Sequence, residues 1–179
     1  GSPVNRSSLI TACAAALALS GSVVAQVPPV AAPDQHALLR SSDPKLAANK
    51  KLVFDMYRAI VNGGHAEMAG QFFTPEYIQH NPNVQSGRDE LVRYIRQTRP
   101  VRPIPDTIGF PVISIMAEGD LVLVSSVEYH DDPDAPGRKY ATTHFDLYRI
   151  ENGRIAEHWD NVLKSRESLT TDPNVTNKP

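Results

Sequence analysis

An α+β fold is predicted for this chain by three features of its sequence. Apolar residues recur at helical spacing through the first half, up to Ile95. Beyond Val112 they alternate in the manner of strands. Between those strands, Glu118-Gly119-Asp120 and Glu151-Asn152-Gly153 have the composition of hairpin turns. Helices followed by an antiparallel meander define the class.

Taken in order, Asp43-Pro44 supplies an N-cap with proline at the first helical position. Leu46, Leu52/Val53, Met56/Tyr57 and Ile60/Val61 then form one helical face that ends at Gly63-Gly64. His65–Phe73 reads as a short second helix, stopped before Thr74-Pro75. Tyr77–His80 reads as a short strand closed by Asn81-Pro82. A third helix starts at Ser86-Gly87-Arg88, buries Leu91, Val92, Tyr94 and Ile95, and runs out in the proline-rich loop from Pro100 to Pro105. Four strands follow: Val112–Ala117, Leu121–His130, Tyr140–Ile150 and Ile155–Leu163, with Pro133–Gly137 as a longer loop.

The 179 residues amount to one domain, assigned to residues 43–165. Gly1-Ser2 reads as a cloning remnant. Arg6, the Ala/Leu-rich run Leu9–Leu19 and the small residues up to Ala25 have the layout of a secretory signal peptide over residues 1–25. The run is too short to span a bilayer, which takes roughly 20 residues. Ile10-Thr11-Ala12-Cys13 looks like a lipoprotein box, but most of the apolar run follows Cys13, which favours a plain residue of that run. The expected location is therefore periplasmic or secreted, with no stable membrane anchor. Residues 26–42, rich in Pro and Ala, read as a flexible linker, and residues 166–179 as a disordered tail. Cys13 is the only cysteine, so the domain after Ala25 has neither disulfides nor thiol chemistry. A net charge of -2 gives no reason to expect nucleic acid.

The informative residues are polar groups in segments that should be core. Thr142, His144, Asp146 and Tyr148 share one strand face, and His158 and Asp160 share a face of the next. A carboxylate and an imidazole are costly to bury unless partnered, so this face is either wet or lines a pocket. A two-residue type I′ turn at Asn152-Gly153 would set Asp146 opposite Trp159. A type I turn with a Gly153 bulge would set it opposite His158, and Glu-Asn-Gly-Arg suits the second. An Asp146–His158 pair sharing a proton is expected, with a structural hydrogen bond as the alternative.

The segment from Phe145 to Asp160 resembles the C-terminal hairpin signature of SnoaL-like polyketide cyclases, and Tyr77-Ile78-Gln79-His80-Asn81-Pro82 resembles that family's first-strand motif. The resemblance implies an NTF2-like cone, a curved antiparallel sheet wrapped around three N-terminal helices with a pocket between them. It implies Asp146 as acid/base in an aldol closure and Asn81 as a holder of the enolate. The related ketosteroid isomerases add Tyr57 at their oxyanion-hole tyrosine and Asp146 at the partnering acid, but Asn81 stands where their base is an aspartate. An amide cannot take up a proton at pH 7, which places that isomerisation route in doubt. The limonene-epoxide-hydrolase branch matches Asp160 but needs an arginine that Val127-Glu128-Tyr129-His130 does not offer.

The catalytic set read from the sequence is thus Asp146, His158, Tyr57 and Asn81, with His80, His130, His144 and Asp160 as substrate contacts. By alternation His80 points away from Asn81, and His130 belongs at the rim. Four histidines near strands invite a metal reading, but no HxH or HxxxH pair exists, so neither metal nor other cofactor is expected. Arg93, Arg96, Arg99 and Arg102 have the spacing of a solvated helix face. The expected function is cofactor-free acid/base chemistry on a small hydrophobic carbonyl compound, by an aldol-type cyclase, isomerase or lyase working as a homodimer. Burial is expected to raise Asp146 towards neutrality. The alternative is a non-catalytic small-ligand-binding or dimerisation module, which a filled interior with Asp146 tied into salt bridges would favour.

Overall fold

The computed structural model describes residues 26–165. The signal-peptide reading, Cys13 and the expected disordered tail lie outside them. Among the described residues, no helix is long and apolar enough to cross a membrane.

Helix α1 (Pro44–Met56) starts as its cap dictates: Asp43 Oδ1 accepts from the amides of Lys45 at 2.7 Å and Leu46 at 3.4 Å. It buries Val53, Phe54 and Met56, then widens into a π-helical turn over Tyr57–Asn62. The wider turn closes through the Gly63 amide on the Arg58 carbonyl, five residues back. Gly64 follows at φ 70, where a Cβ would sit 2.6 Å from the Pro100 carbonyl oxygen, so only glycine fits. The second helix is split, a 3-10 turn over Ala66–Met68 running into α2 (Ala69–Phe72). Helix α3 (Arg88–Thr98) places Asp89 and Glu90 in its first turn and buries Leu91, Ile95 and Thr98.

The strands are β1 (Phe73–Gln79), β2 (Val112–Glu118), β3 (Leu121–Asp131), β4 (Lys139–Glu151) and β5 (Arg154–Asp160), in the sheet order β1-β5-β4-β3-β2. The α+β class with a curved five-stranded sheet is thus as predicted. The sheet is antiparallel from β2 to β5, and β1 adds to its edge in parallel with β5. Strand β1 is longer than Tyr77–His80 because Phe73, next to Phe72 at the end of α2, already enters the core and pairs with Ile155. The core lies between the inner sheet face and the helices, with Val53, Phe54, Ile60, Val122, Val124 and Ile155 almost fully buried.

The structure departs from the sequence expectation at the β4–β5 turn and in residues 26–42. Asn152 (φ 51) and Gly153 (φ 73) are both left-handed, so the β4–β5 turn is type I′ and not a type I turn with a glycine bulge. The bulge falls instead at Ala156, between the pairs Ile150↔Ile155 and Arg149↔Glu157. Asp146 therefore faces Asp160 across the ladder, and His158 faces Tyr148. Second, residues 26–42 are not a free linker. The Ala32 amide bonds the Val112 carbonyl, and a 3-10 turn forms over His36–Leu39. Gln35 clamps the Ile108 amide and the Ile108 and Phe110 carbonyls, while the Lys50 ammonium caps the carbonyls of Leu38 and Arg40. Leu38 and Leu39 pack on the core, which supplies the apolar contact a Pro/Ala-rich composition does not advertise.

Candidate active site

Between the inner sheet face and the helices lies a cavity of about 410 Å³. One side is apolar, formed by Met56, Ile60, Val61, Phe73, Leu91, Ile95 and Phe110. The other is formed by alternate residues of the strands: Gln79 on β1, Glu128 and His130 on β3, His144, Asp146 and Tyr148 on β4, and His158 on β5. The period of two along each strand brings the polar residues to one face, and the Ala156 bulge turns His158 inward.

Asp146 is the hub. Its Oδ1 accepts from His158 Nε2 at 2.9 Å and from His144 Nε2 at 3.3 Å. Its Oδ2 accepts from the Tyr57 hydroxyl at 2.6 Å, and Tyr57 in turn accepts from the Tyr148 hydroxyl at 2.8 Å. The expected Asp146–His158 pair is present, reached diagonally and not from the opposite position. Burial by itself would push Asp146 up, but the hydrogen bonds and charges of His144 and His158 outweigh it. The carboxyl is held well below the usual range, the reverse of the rise towards neutrality that burial predicted. Burial likewise pulls His144 down, yet its contacts with Asp146 and Glu128 raise it to about 10. Tyr57 and Tyr148, desolvated and beside the Asp146 charge, are raised well above the ordinary phenol value and stay protonated.

Gln79 fixes the other end of His158. Its Oε1 accepts from the backbone amide of Asn81 at 3.0 Å, which sets the orientation of the side-chain amide. The same oxygen lies 2.8 Å from His158 Nδ1, so both ring nitrogens of His158 have a hydrogen-bond partner that fixes the ring. Its ring stacks on Tyr148 with centroids 4.6 Å apart. Gln79 Nε2 donates to the Tyr77 hydroxyl at 3.0 Å.

The other predicted residues divide. Asn81 lines the cavity, donating from Nδ2 to Asp160 Oδ2 at 2.5 Å and accepting from the Asn83 amide at 2.8 Å. Asp160 thus stands behind Asn81 as its support and does not line the cavity. His130 sits at the rim against Glu128 at 3.2 Å and stacks on Tyr140. His80 is not brought into the site: it lies on the outer sheet face, stacked on Trp159 and bonded to Glu157 at 2.8 Å. Alternation from Gln79 dictates this. Gln79, Tyr148 and Glu128 were not singled out as site residues, although each shares a strand face with one that was. Among the described residues, Asp146, His158 and Asp160 are the one group of three whose ligand-type atoms all lie within 4.8 Å of one another. Those atoms already serve one another and Asn81 as hydrogen-bond partners.

The sequence profile of the SnoaL-like domain matches residues 53–158. No curated protein matches the chain. Solved structures of similar shape include TsrD from Streptomyces laurentii, 22% identical over 68% of this chain and 90% of that one, at a TM-score of 0.45. A candidate polyketide cyclase from Acidithiobacillus ferrooxidans is 19% identical over 73% and 94%, at 0.45. One from Bacillus cereus is 17% identical over 80% and 89%, at 0.48. The profile match spans more than half of the chain and takes in β1, Tyr57 and the Asp146–His158 hairpin, so the protein belongs to the SnoaL-like domain family.

Proposed function

We propose that the protein is a cofactor-free acid/base enzyme, an aldol-type cyclase, isomerase or lyase, acting on a small hydrophobic carbonyl compound. The observation that carries this is the two-sided cavity, apolar along the helices and lined by the Asp146 network along the sheet. In this reading a carbonyl compound lies along Met56, Ile60 and Phe110 with its oxygen towards Tyr57 and Asn81. As Asp146 takes up a proton it gives up its hold on Tyr57, whose one hydroxyl hydrogen then turns to the developing oxyanion beside the second hydrogen of the Asn81 amide. Asp146 takes the α-hydrogen and His158 shares the charge. A carboxylate held this low is a weak base, so the matching C–H is one already acidified, as between two carbonyl groups.

A second reading, a non-catalytic binding module, draws support from the same carboxylate. Asp146 accepts three hydrogen bonds, as a purely structural charge would. The two readings separate in an NMR pH titration of Asp146 and His158 with and without hydrophobic enones and phenols. The enzyme reading expects ligand-dependent shifts in both residues; titrations that do not respond to any of these compounds would sink it.

We also propose that the protein is exported and dimeric. Export is supported by Arg6, the Leu9–Leu19 run and the small residues before Gln26. Dimerisation is supported by the outer sheet face, where the register aligns Met116, Leu123, Leu147 and Trp159 in one row across four strands. Met116 and the neighbouring Phe145 are among the exposed large apolar side chains.

A further inference from the structure

The Asp146 network does not stop at His144. The far side of that ring, Nδ1, points to Glu128 Oε2 at 3.7 Å, and the same oxygen lies 3.2 Å from His130 Nε2. Glu128 and His130 are two apart on β3, and His144 and Asp146 are two apart on the adjacent β4, so strand alternation puts all four on the cavity face. With His158 they form an alternating file of imidazole and carboxylate. Side-chain exposure falls at each step from the rim inwards: 43% at His130, 31% at Glu128, 17% at His144, 11% at Asp146 and 9% at His158. Here one half-exposed carboxylate is shared between two imidazoles, within a small swing of either.

We propose that Glu128 and His130 are the proton port of the Asp146 site, exchanging the Nδ1 proton of His144 with solvent. The inference rests on the acid/base reading above and adds two residues to it. In the outward step the His144 Nδ1–H bond breaks and an O–H bond forms on Glu128 Oε2. From there the proton passes to His130 Nε2, and the half-exposed His130 ring gives one up to water. His144 is left neutral with its hydrogen on Nε2, still donating to Asp146, so the hub keeps its geometry. The inward step reverses this. When the buried cluster takes a proton from substrate, the port releases one, and the total charge beneath the substrate stays constant. The groups that face His144 fit this: Glu128 on β3 and Asp146 on β4, with His130 and His158 one step beyond. Its affinity for the proton, raised by both carboxylates, keeps the port loaded near neutral pH. Glu128 is itself held below the ordinary range, above all by its hydrogen bond with His144, so it passes the proton on and does not retain it.

The test is exchange of the His144 Nδ1 proton with water, read by NMR on the full ¹⁵N-labelled chain near pH 7. Glu128→Gln keeps the shape but cannot carry a proton, and should slow that exchange about tenfold or more. Unchanged or faster exchange overturns the port. His130→Gln, at the exposed end, should slow exchange in the same direction by a smaller factor. It decides the matter by the same criterion if Glu128→Gln does not fold. Exchange is read without substrate, so failure of the port and failure of the enzyme reading show on different signals.

Discussion

His144 and Asp146 carry opposite charges in the fold, and each sets a separate pH limit on it. His144 binds its proton more tightly folded, at about 10, than at its ordinary value of 6.5. Its contribution is therefore fully present below about pH 6.5 and is lost as pH rises towards 10. Asp146 is shifted the other way, so its contribution is present above its ordinary 3.8 and fades as pH falls below that. Urea unfolding at a series of pH values should show stability declining between pH 7 and 10, and His144→Asn should flatten that decline. An equally steep decline in the variant would show that other groups cause it. These two residues were legible in the sequence because a charge on a core strand needs a reason. The direction of the Asp146 shift was not. Sequence showed the burial that raises it, but not that a second imidazole, His144, joins His158 on the same carboxylate.

Elements decide which residues reach the site, and the β4–β5 hairpin does so with a single extra residue. With the type I′ turn and a regular ladder, Glu157 would face the cavity and His158 the outer surface. The bulge at Ala156 exchanges them. Turn composition marked the hairpin correctly, yet left its register open, because bulges leave little trace in composition. The expectation of a facing Asp146–His158 pair reached the right contact through the wrong turn. Similarly, the periodicity from Leu46 to Val61 showed a helix, while its widening at Tyr57 depends on where Gly63 finds an acceptor. Gly153 tests the turn. It is left-handed at φ 73, and a Cβ there would meet nothing within 4 Å, so only backbone conformation opposes a side chain. Gly153→Ala should cost about 1 kcal/mol in denaturant unfolding. No loss would mean that the turn relaxes to another type.

At the scale of the molecule, the sheet divides two tasks between its faces. The inner face holds the cavity and its charges; the outer presents Met116, Leu123, Leu147 and Trp159 in register. If that row is covered by a second copy, Leu123→Asp should convert a dimer to a monomer in sedimentation, with the cavity-face NMR signals unchanged. A wild-type protein that sediments as a monomer would remove the dimer proposal. Helix and strand order were readable along the whole domain because periodicity survives in single sequences. The parallel β1 edge was not, since it depends on where a seven-residue strand docks after α2 turns it.

The docked segment before Asp43 has a practical bearing on where a recombinant version of this domain should begin. The family profile starts at Val53, inside α1, and a boundary set there discards the N-cap and the first turns of that helix. A boundary at Asp43 keeps the helix but removes the two carbonyls that cap the Lys50 ammonium. It also removes Gln35, the clamp on the loop that sets Phe110 edge-on against Tyr57, 5.3 Å between ring centres. Through that loop, an expression boundary drawn after Gln35, which lies 22 residues ahead of Tyr57, becomes a choice about the shape of the cavity wall. Starting at Gln26 keeps every one of these contacts.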